Sequence, residues 1–327
     1  MRVVLKVFCF IDVFVILLFQ TNRIDLRFPN WKTNNFQTLY KQDKLDVITI
    51  GTSHIITSFI PSLLYKEFGL TSYNLGMEQQ PASALYYTLI EAVKKQPQAV
   101  YIIDVFSFFL MRNYSNNFIY NNFGEMDSSL NKLKAIKHYS HNERINYPQS
   151  LKYIFPIFKT HSNLFKKIRK KCGEDDMWCR QTIFNDYYKG YVRTNDPIPP
   201  NVYGINDESR GELVWHGRKY LEKTIKFAKD KNIKIFLIKT PDSNCKDCKR
   251  FVNTIEDIAK ENGIPFADYN KFIEGRGHIH YSGAKDHTIL IGKDLIKFFN
   301  VKVSKPTEDW DGQLKVFEEL EERFGKN

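Results

Sequence analysis

Apolar residues along this chain fall in short runs separated by longer amphipathic stretches, and that alternation predicts strands and helices taking turns. Val47, Ile48 and Ile50 make a short buried strand that breaks at Gly51. A helix is predicted to begin near Ser53, because Ile55, Phe59, Leu63 and Leu64 recur at helical spacing. Ser72 to Leu75 reads as a second strand ending at Gly76. The next helix runs from about Ala82 to Lys95, with Leu85, Leu89, Ile90 and Val93 on one face. Ala99 to Val105 is a third strand, apolar enough to be covered on both sides. Strand, helix, strand, helix, strand implies parallel pairing through right-handed crossovers.

From about residue 106 to 215 the pattern loosens. Asn113 to Phe123 is rich in aromatics and asparagine, and Asp196-Pro197-Ile198-Pro199-Pro200 cannot be regular. This predicts a partly helical insertion, expected to lie over the strand ends and shape a site. The alternation then resumes with a helix near Glu212 to Asp230, a strand at Ile233 to Ile238, a helix near Arg250 to Asn262 and a short strand at Pro265 to Asp268. A helix from about Ala284 to Phe299 follows, and Pro306 to Phe324 reads as a charged amphipathic tail. No internal repeat is visible.

Composition adds compartment and partners to this picture. Among 327 residues, 43% are hydrophobic and 26% charged, a balance that excludes a disordered chain and leaves ample material for a core. The net charge of +11 comes mostly from scattered lysines, densest from Lys166 to Lys171, with no nucleic-acid motif to focus it. It reads either as a plain solvated surface or as attraction to an anionic membrane or acidic envelope polymer. Val3 to Phe19 is almost wholly apolar, with Arg2 and Lys6 on its amino side, but Asp12 interrupts it and no small-residue cleavage site follows. It is read as a membrane anchor within residues 1–22, an uncleaved signal anchor with the body outside the cytoplasm; a buried helix is the alternative. Residues 23–44, polar and irregular, then form a tether, 45–300 the α/β domain, and 301–327 a C-terminal charged helix. Cys9 lies in the apolar segment, while Cys172 with Cys179 and Cys245 with Cys248 are local pairs. Outside the cytoplasm these are expected to be disulfides, with zinc binding the minority reading.

Ser53 stands where a strand's carboxyl end meets a helix's amino end. Free backbone N–H groups gather at such a point, so its hydroxyl can be a nucleophile beside an oxyanion site, or simply a helix cap. A serine nucleophile needs a base, and the loop after the last strand holds two of the eight histidines in Gly277-His278-Ile279-His280-Tyr281-Ser282-Gly283-Ala284. In a parallel sheet that loop can return to the one carrying Ser53.

With these blocks the chain resembles extracytoplasmic members of the SGNH/GDSL hydrolase superfamily, related to the teichoic-acid D-alanine transfer protein and to polysaccharide O-acetyltransferases. The resemblance is carried by Ile50-Gly51-Thr52-Ser53-His54, Pro61, Tyr73-Asn74-Leu75-Gly76, Gln79-Gln80-Pro81, Pro97 through Asp104, and His278 through Ala284. It covers most of residues 45–300 and is weak across the insertion. It implies a three-layer flavodoxin-like α/β fold with a parallel sheet, and acyl-ester chemistry through Ser53 with His278 as base. The N–H groups of Ser53 and Gly76 would form the oxyanion hole, with Gln79 and His280 near the substrate. Two departures stand out. Gly275 occupies the place of the family's aspartate three residues before the histidine, leaving Glu274, or more remotely Asp268, to orient the imidazole. Asp104-Val105-Phe106 follows the third strand where many relatives have an asparagine. An unreplaced orienting carboxylate costs about 10⁴ in rate, so a Ser–His dyad or a degenerate binding or scaffold protein stands beside the triad. The implied substrates are acylated envelope polysaccharides or teichoic-type polymers and the implied partner is a membrane-bound O-acyltransferase. No cofactor, metal or nucleic acid is expected.

Overall fold

The computed structural model describes residues 2–27, 35–109, 122–124, 126–127, 129–142, 152–155, 158, 188–194, 206–242, 247–271, 279–301 and 309–324. Its centre is a five-stranded sheet in the order β2-β1-β3-β4-β5, with every neighbouring pair parallel. The strands are β1 (Val47–Ile50), β2 (Ser72–Asn74), β3 (Val100–Asp104), β4 (Ile235–Lys239) and β5 (Phe266–Asp268). The order reverses between β1 and β3, which opens a crevice at their carboxyl ends, where ligands bind in sheets of this kind.

Two apolar layers enclose the sheet, and the period of two along each strand divides its side chains between them. Ile48, Ile50, Tyr101, Ile103, Ile235 and Leu237 lie in one cluster with α5 (Ala82–Lys95), α7 (Trp215–Asp230) and α8 (Cys248–Glu261). Val47, Val100, Ile102, Phe236 and Ile238 lie in the other, with α3 (Ser53–Ser58), α4 (Pro61–Phe68) and α9 (Tyr281–Phe299). This three-layer α/β arrangement fits the flavodoxin-like expectation, and β1, β3 and β4 are buried throughout.

Two readings of the sequence change. The single helix expected after Gly51 is two. Pro61 has no N–H to donate and keeps Ile60 extended (φ −108°, ψ 99°), so the chain turns and restarts as α4. Part of the expected irregular tether is helical: α2 (Asn35–Lys41) buries Phe36 and Leu39, with Leu45 following, in the first apolar cluster. The segment read as an anchor belongs to α1 (Arg2–Arg27), on which Val7, Phe8, Phe10, Ile11, Phe14, Ile16 and Leu17 are exposed. Among the described residues no helix is long and apolar enough to cross a membrane.

Of the insertion, the described parts do two things. α6 (Leu130–Asn142) packs on α5, where Asn131 Nδ2 donates to Tyr87 O at 3.1 Å and to Glu91 Oε2 at 3.0 Å. Residues 188–194 run along the outer edge of β2, accepting from Asn74 N at Lys189 O (2.8 Å) and donating from Val192 N to Ile56 O (3.0 Å). Gly190, at φ +86°, lies so close to the Asn74 carbonyl that any side chain would collide with it. The C-terminal helix α10 (Trp310–Phe324) clamps this segment: Glu321 accepts from Tyr188 Oη (2.8 Å) and pairs with Arg193 (2.5 Å), while Lys66 of α4 pairs with Glu318 (2.7 Å).

Candidate active site

Ser53 follows β1 by way of Gly51 and Thr52 and is the first residue of α3. A Cβ on Gly51 would come within 2.7 Å of Asp104 Cβ, so glycine is what lets the end of β1 lie against the end of β3. Thr52, extended at φ −84° and ψ −168°, is the N-cap, and its hydroxyl accepts from His54 N at 3.4 Å. The cap that the sequence allowed Ser53 to be is therefore Thr52, and Ser53 stands half-buried in the first turn with its hydroxyl not engaged in capping.

Asn74, at the end of β2, organises the surroundings. Its Oδ1 accepts from Thr49 Oγ1 (3.0 Å) and Gly76 N (3.2 Å), and its Nδ2 donates to Ile55 O (2.8 Å) and Phe59 O (3.3 Å). One buried amide thus ties β1, β2, α3 and the loop after β2 together, with all four of its hydrogen-bonding positions used. The Gly76 N–H, expected to face an oxyanion, is directed in this structure at Asn74 Oδ1. Gln79 lies half-buried in the following turn in the left-handed region, at φ 48°. His280 caps α9: its Nδ1 lies 2.8 Å from Ser282 Oγ and accepts from Ser282 N at 3.2 Å. His278 and Glu274 lie outside the described residues, as do Cys172, Cys179 and Cys245. Asp268 is described, and its carboxylate is taken up by Lys249 Nζ (2.7 Å) and Asn270 N (3.1 Å).

The carboxyl ends of β3 and β4 carry polar groups to which the sequence assigned no role. Asp104 is fully buried beneath Gly51, and its Oδ1 accepts from Thr240 N (3.3 Å) and Thr240 Oγ1 (3.1 Å). Burial raises its pKa; the Lys239 charge and the Thr240 hydrogen bonds pull the other way. His54, 9% exposed, stacks edge-on against Phe106 at 4.1 Å between centroids. Its Nε2 lies 3.8 Å from Asp242 Oδ2 in the loop after β4. Asp242 is in turn bound through its main chain, its N donating to Asn270 Oδ1 (2.5 Å) and its O accepting from Asn270 Nδ2 (3.2 Å). On the far side of α3, His287 of α9 sits fully buried with Nδ1 2.9 Å from Ser58 O, its pKa pushed down to about 4, chiefly by burial. His54 directly follows Ser53 and was visible as a neighbour; Asp242 and Asn270, far along the chain, gave no such signal.

Cys248, the first residue of α8, is buried and disulfide-bonded, whereas Cys9 is free and exposed. The partner of Cys248 lies outside the described residues.

Compared by sequence, the chain matches no family model and no curated protein. Among solved structures it is similar to a candidate acylhydrolase from Bacteroides fragilis, with 14% identity and a TM-score of 0.36, covering 80% of this chain and 93% of that one. A likeness that loose carries no argument about activity.

Proposed function

We propose that the chain is a serine esterase or O-acyltransferase of the SGNH/GDSL type, acting on acylated envelope glycans or teichoic-type polymers. The observation that carries this reading is the position of Ser53: first turn of α3, at the carboxyl end of β1, beside the point where strand order reverses, with the capping role already filled by Thr52. In this reading Ser53 Oγ attacks an ester carbonyl, and His278 takes its proton and returns it to the leaving alcohol. The acyl group then passes to water or to a sugar hydroxyl. Glu274 is the orienting carboxylate, since Asp268 is already committed to Lys249.

The same proposal places the body outside the cytoplasm, held to the membrane through α1 and working beside a membrane-bound O-acyltransferase. The disulfide at Cys248 supports an oxidising compartment, and the exposed apolar side chains of α1 support contact with lipid. Release or transfer of acetyl groups from acetylated envelope glycan by membranes carrying the full chain tests the chemistry. Wild type should be active and Ser53→Ala inactive; equal rates would reject it. Protease protection on intact cells tests placement, and a body shielded with the cytoplasm would reject that part alone.

A second reading is a binding or scaffold protein of the same fold. It is favoured by the hydrogen bond that Gly76 N–H already donates within the protein, to Asn74 Oδ1. Glycan binding that survives Ser53→Ala, with no turnover in wild type, would select it.

A further inference from the structure

His54 is a bridge between strand ends that belong to different parts of the chain. It sits on α3 immediately after Ser53, its ring lies against Phe106 in the turn after β3, and its Nε2 faces Asp242 Oδ2 in the loop after β4. The sheet order makes β1, β3 and β4 consecutive, so one side chain spans the crevice from the element bearing Ser53 to the loop of the second strand over. Its side chain is 10% exposed and that of Asp242 3% exposed, so the pair is held away from solvent. Asp242 is anchored behind by two main-chain hydrogen bonds with Asn270, just past β5.

A separation of 3.8 Å is an ion-pair distance and too long for a hydrogen bond. Contact at that range is favourable only when the imidazole carries its proton, because a neutral ring offers the carboxylate little. Among the described residues, the other charged or titratable groups around this place are Lys239, Asp104 and His287. Lys239 lies over the far ring, 5.6 Å from the Phe106 centroid; Asp104 is below Gly51; His287 reaches Ser58 on the same helix. Among the described groups, Asp242 is the charge that faces His54 Nε2.

Resting on the reading of Ser53 as nucleophile, we propose that His54 is a positioning residue whose ion pair with Asp242 locks the first turn of α3, so that the reactivity of Ser53 depends on the charge state of that pair. The base that deprotonates Ser53 requires rising pH; the His54–Asp242 pair requires that pH not rise too far. Ser53 reactivity should therefore pass through a maximum, its alkaline limb reporting His54.

The test is the rate at which a fluorophosphonate labels Ser53 in the full-length protein, measured across pH for wild type, His54→Gln and Asp242→Asn. In wild type the alkaline limb is present. His54→Gln should label between about tenfold and about 100-fold more slowly at the wild-type optimum, the scale of a small misplacement of reacting groups, and should lack the alkaline limb. Asp242→Asn, which keeps the imidazole but removes the charge it pairs with, should lose that limb as well, because no ion pair is then left to break as pH rises. Thermal melts of each variant report folding. A folded His54→Gln that labels at the wild-type rate with the wild-type profile overturns the proposal. If His54→Gln fails to fold, the limb in Asp242→Asn decides: a limb that persists overturns it. Wild type that does not label at all refutes Ser53 as nucleophile, a different failure that takes this proposal with it.

Discussion

The carboxyl ends of β1, β3 and β4 and the seam under α10 both bring carboxylates, cations and aromatic rings together, yet they are built differently. Under α10 the groups serve one another. Glu321 satisfies Tyr188 and Arg193 together, Arg193 lies 4.1 Å over the Tyr281 ring, and Lys66 meets Glu318 with both side chains about half exposed. At the strand ends, Asp104, His54 and Asp242 are buried or nearly so, and among the described contacts His54 and Asp242 meet as a long ion pair of 3.8 Å. Burying charge is costly unless it is paired and hydrogen-bonded. Paired charge at a surface seam clamps a helix at little cost, whereas titratable groups buried together in a crevice point to function.

This contrast can be sharpened by substitution. Asn74→Ala should have the largest effect, because it removes an amide that uses all four hydrogen-bonding positions at the strand ends and strands their buried partners. A loss of at least about 3 kcal/mol is expected in urea unfolding. A loss below about 1 kcal/mol would mean that the crevice is no more demanding than the seam.

Acid should come next. His287 is neutral when folded, its pKa lowered from 6.5 to about 4, with burial the largest cause. The unfolded chain therefore binds the proton first. The stability tied to neutral His287 is complete above about pH 6.5 and is lost as pH falls toward about 4, a difference on the order of 3 kcal/mol. Comparing unfolding midpoints of wild type and His287→Gln at pH 7.5 and 4.5 isolates it. The variant should lose markedly less on acidification, and parallel losses would contradict the assignment.

The smallest change belongs to the seam. Glu318→Gln breaks a pair whose side chains are 51% and 44% exposed, and should cost less than about 1 kcal/mol, with labelling of Ser53 unchanged.

The layered fold was legible because β1, β3 and β4 are buried on both faces and so are written as continuous apolar runs, with helices of clear period between them. The break before α4 was legible too, in Pro61, but the run of Ile55, Phe59, Leu63 and Leu64 continues in helical register across it and hides it. α2 is only seven residues long, and its apolar positions gain their meaning from the core they enter. Within the site, Ser53 could be read from strand, glycine and helix start. The roles of Asn74 and of the His54–Asp242 pair could not, because they depend on side-chain direction and on strands brought side by side from distant parts of the chain.

The central claim is that Ser53 is an activated nucleophile. Its most direct measurement is covalent labelling of the full-length protein with a fluorophosphonate, followed by peptide mapping of the adduct. The account predicts one adduct, on the peptide containing Ser53, absent from Ser53→Ala while the fold of that variant is unchanged. An unlabelled wild type, or an adduct that persists in Ser53→Ala, would contradict it.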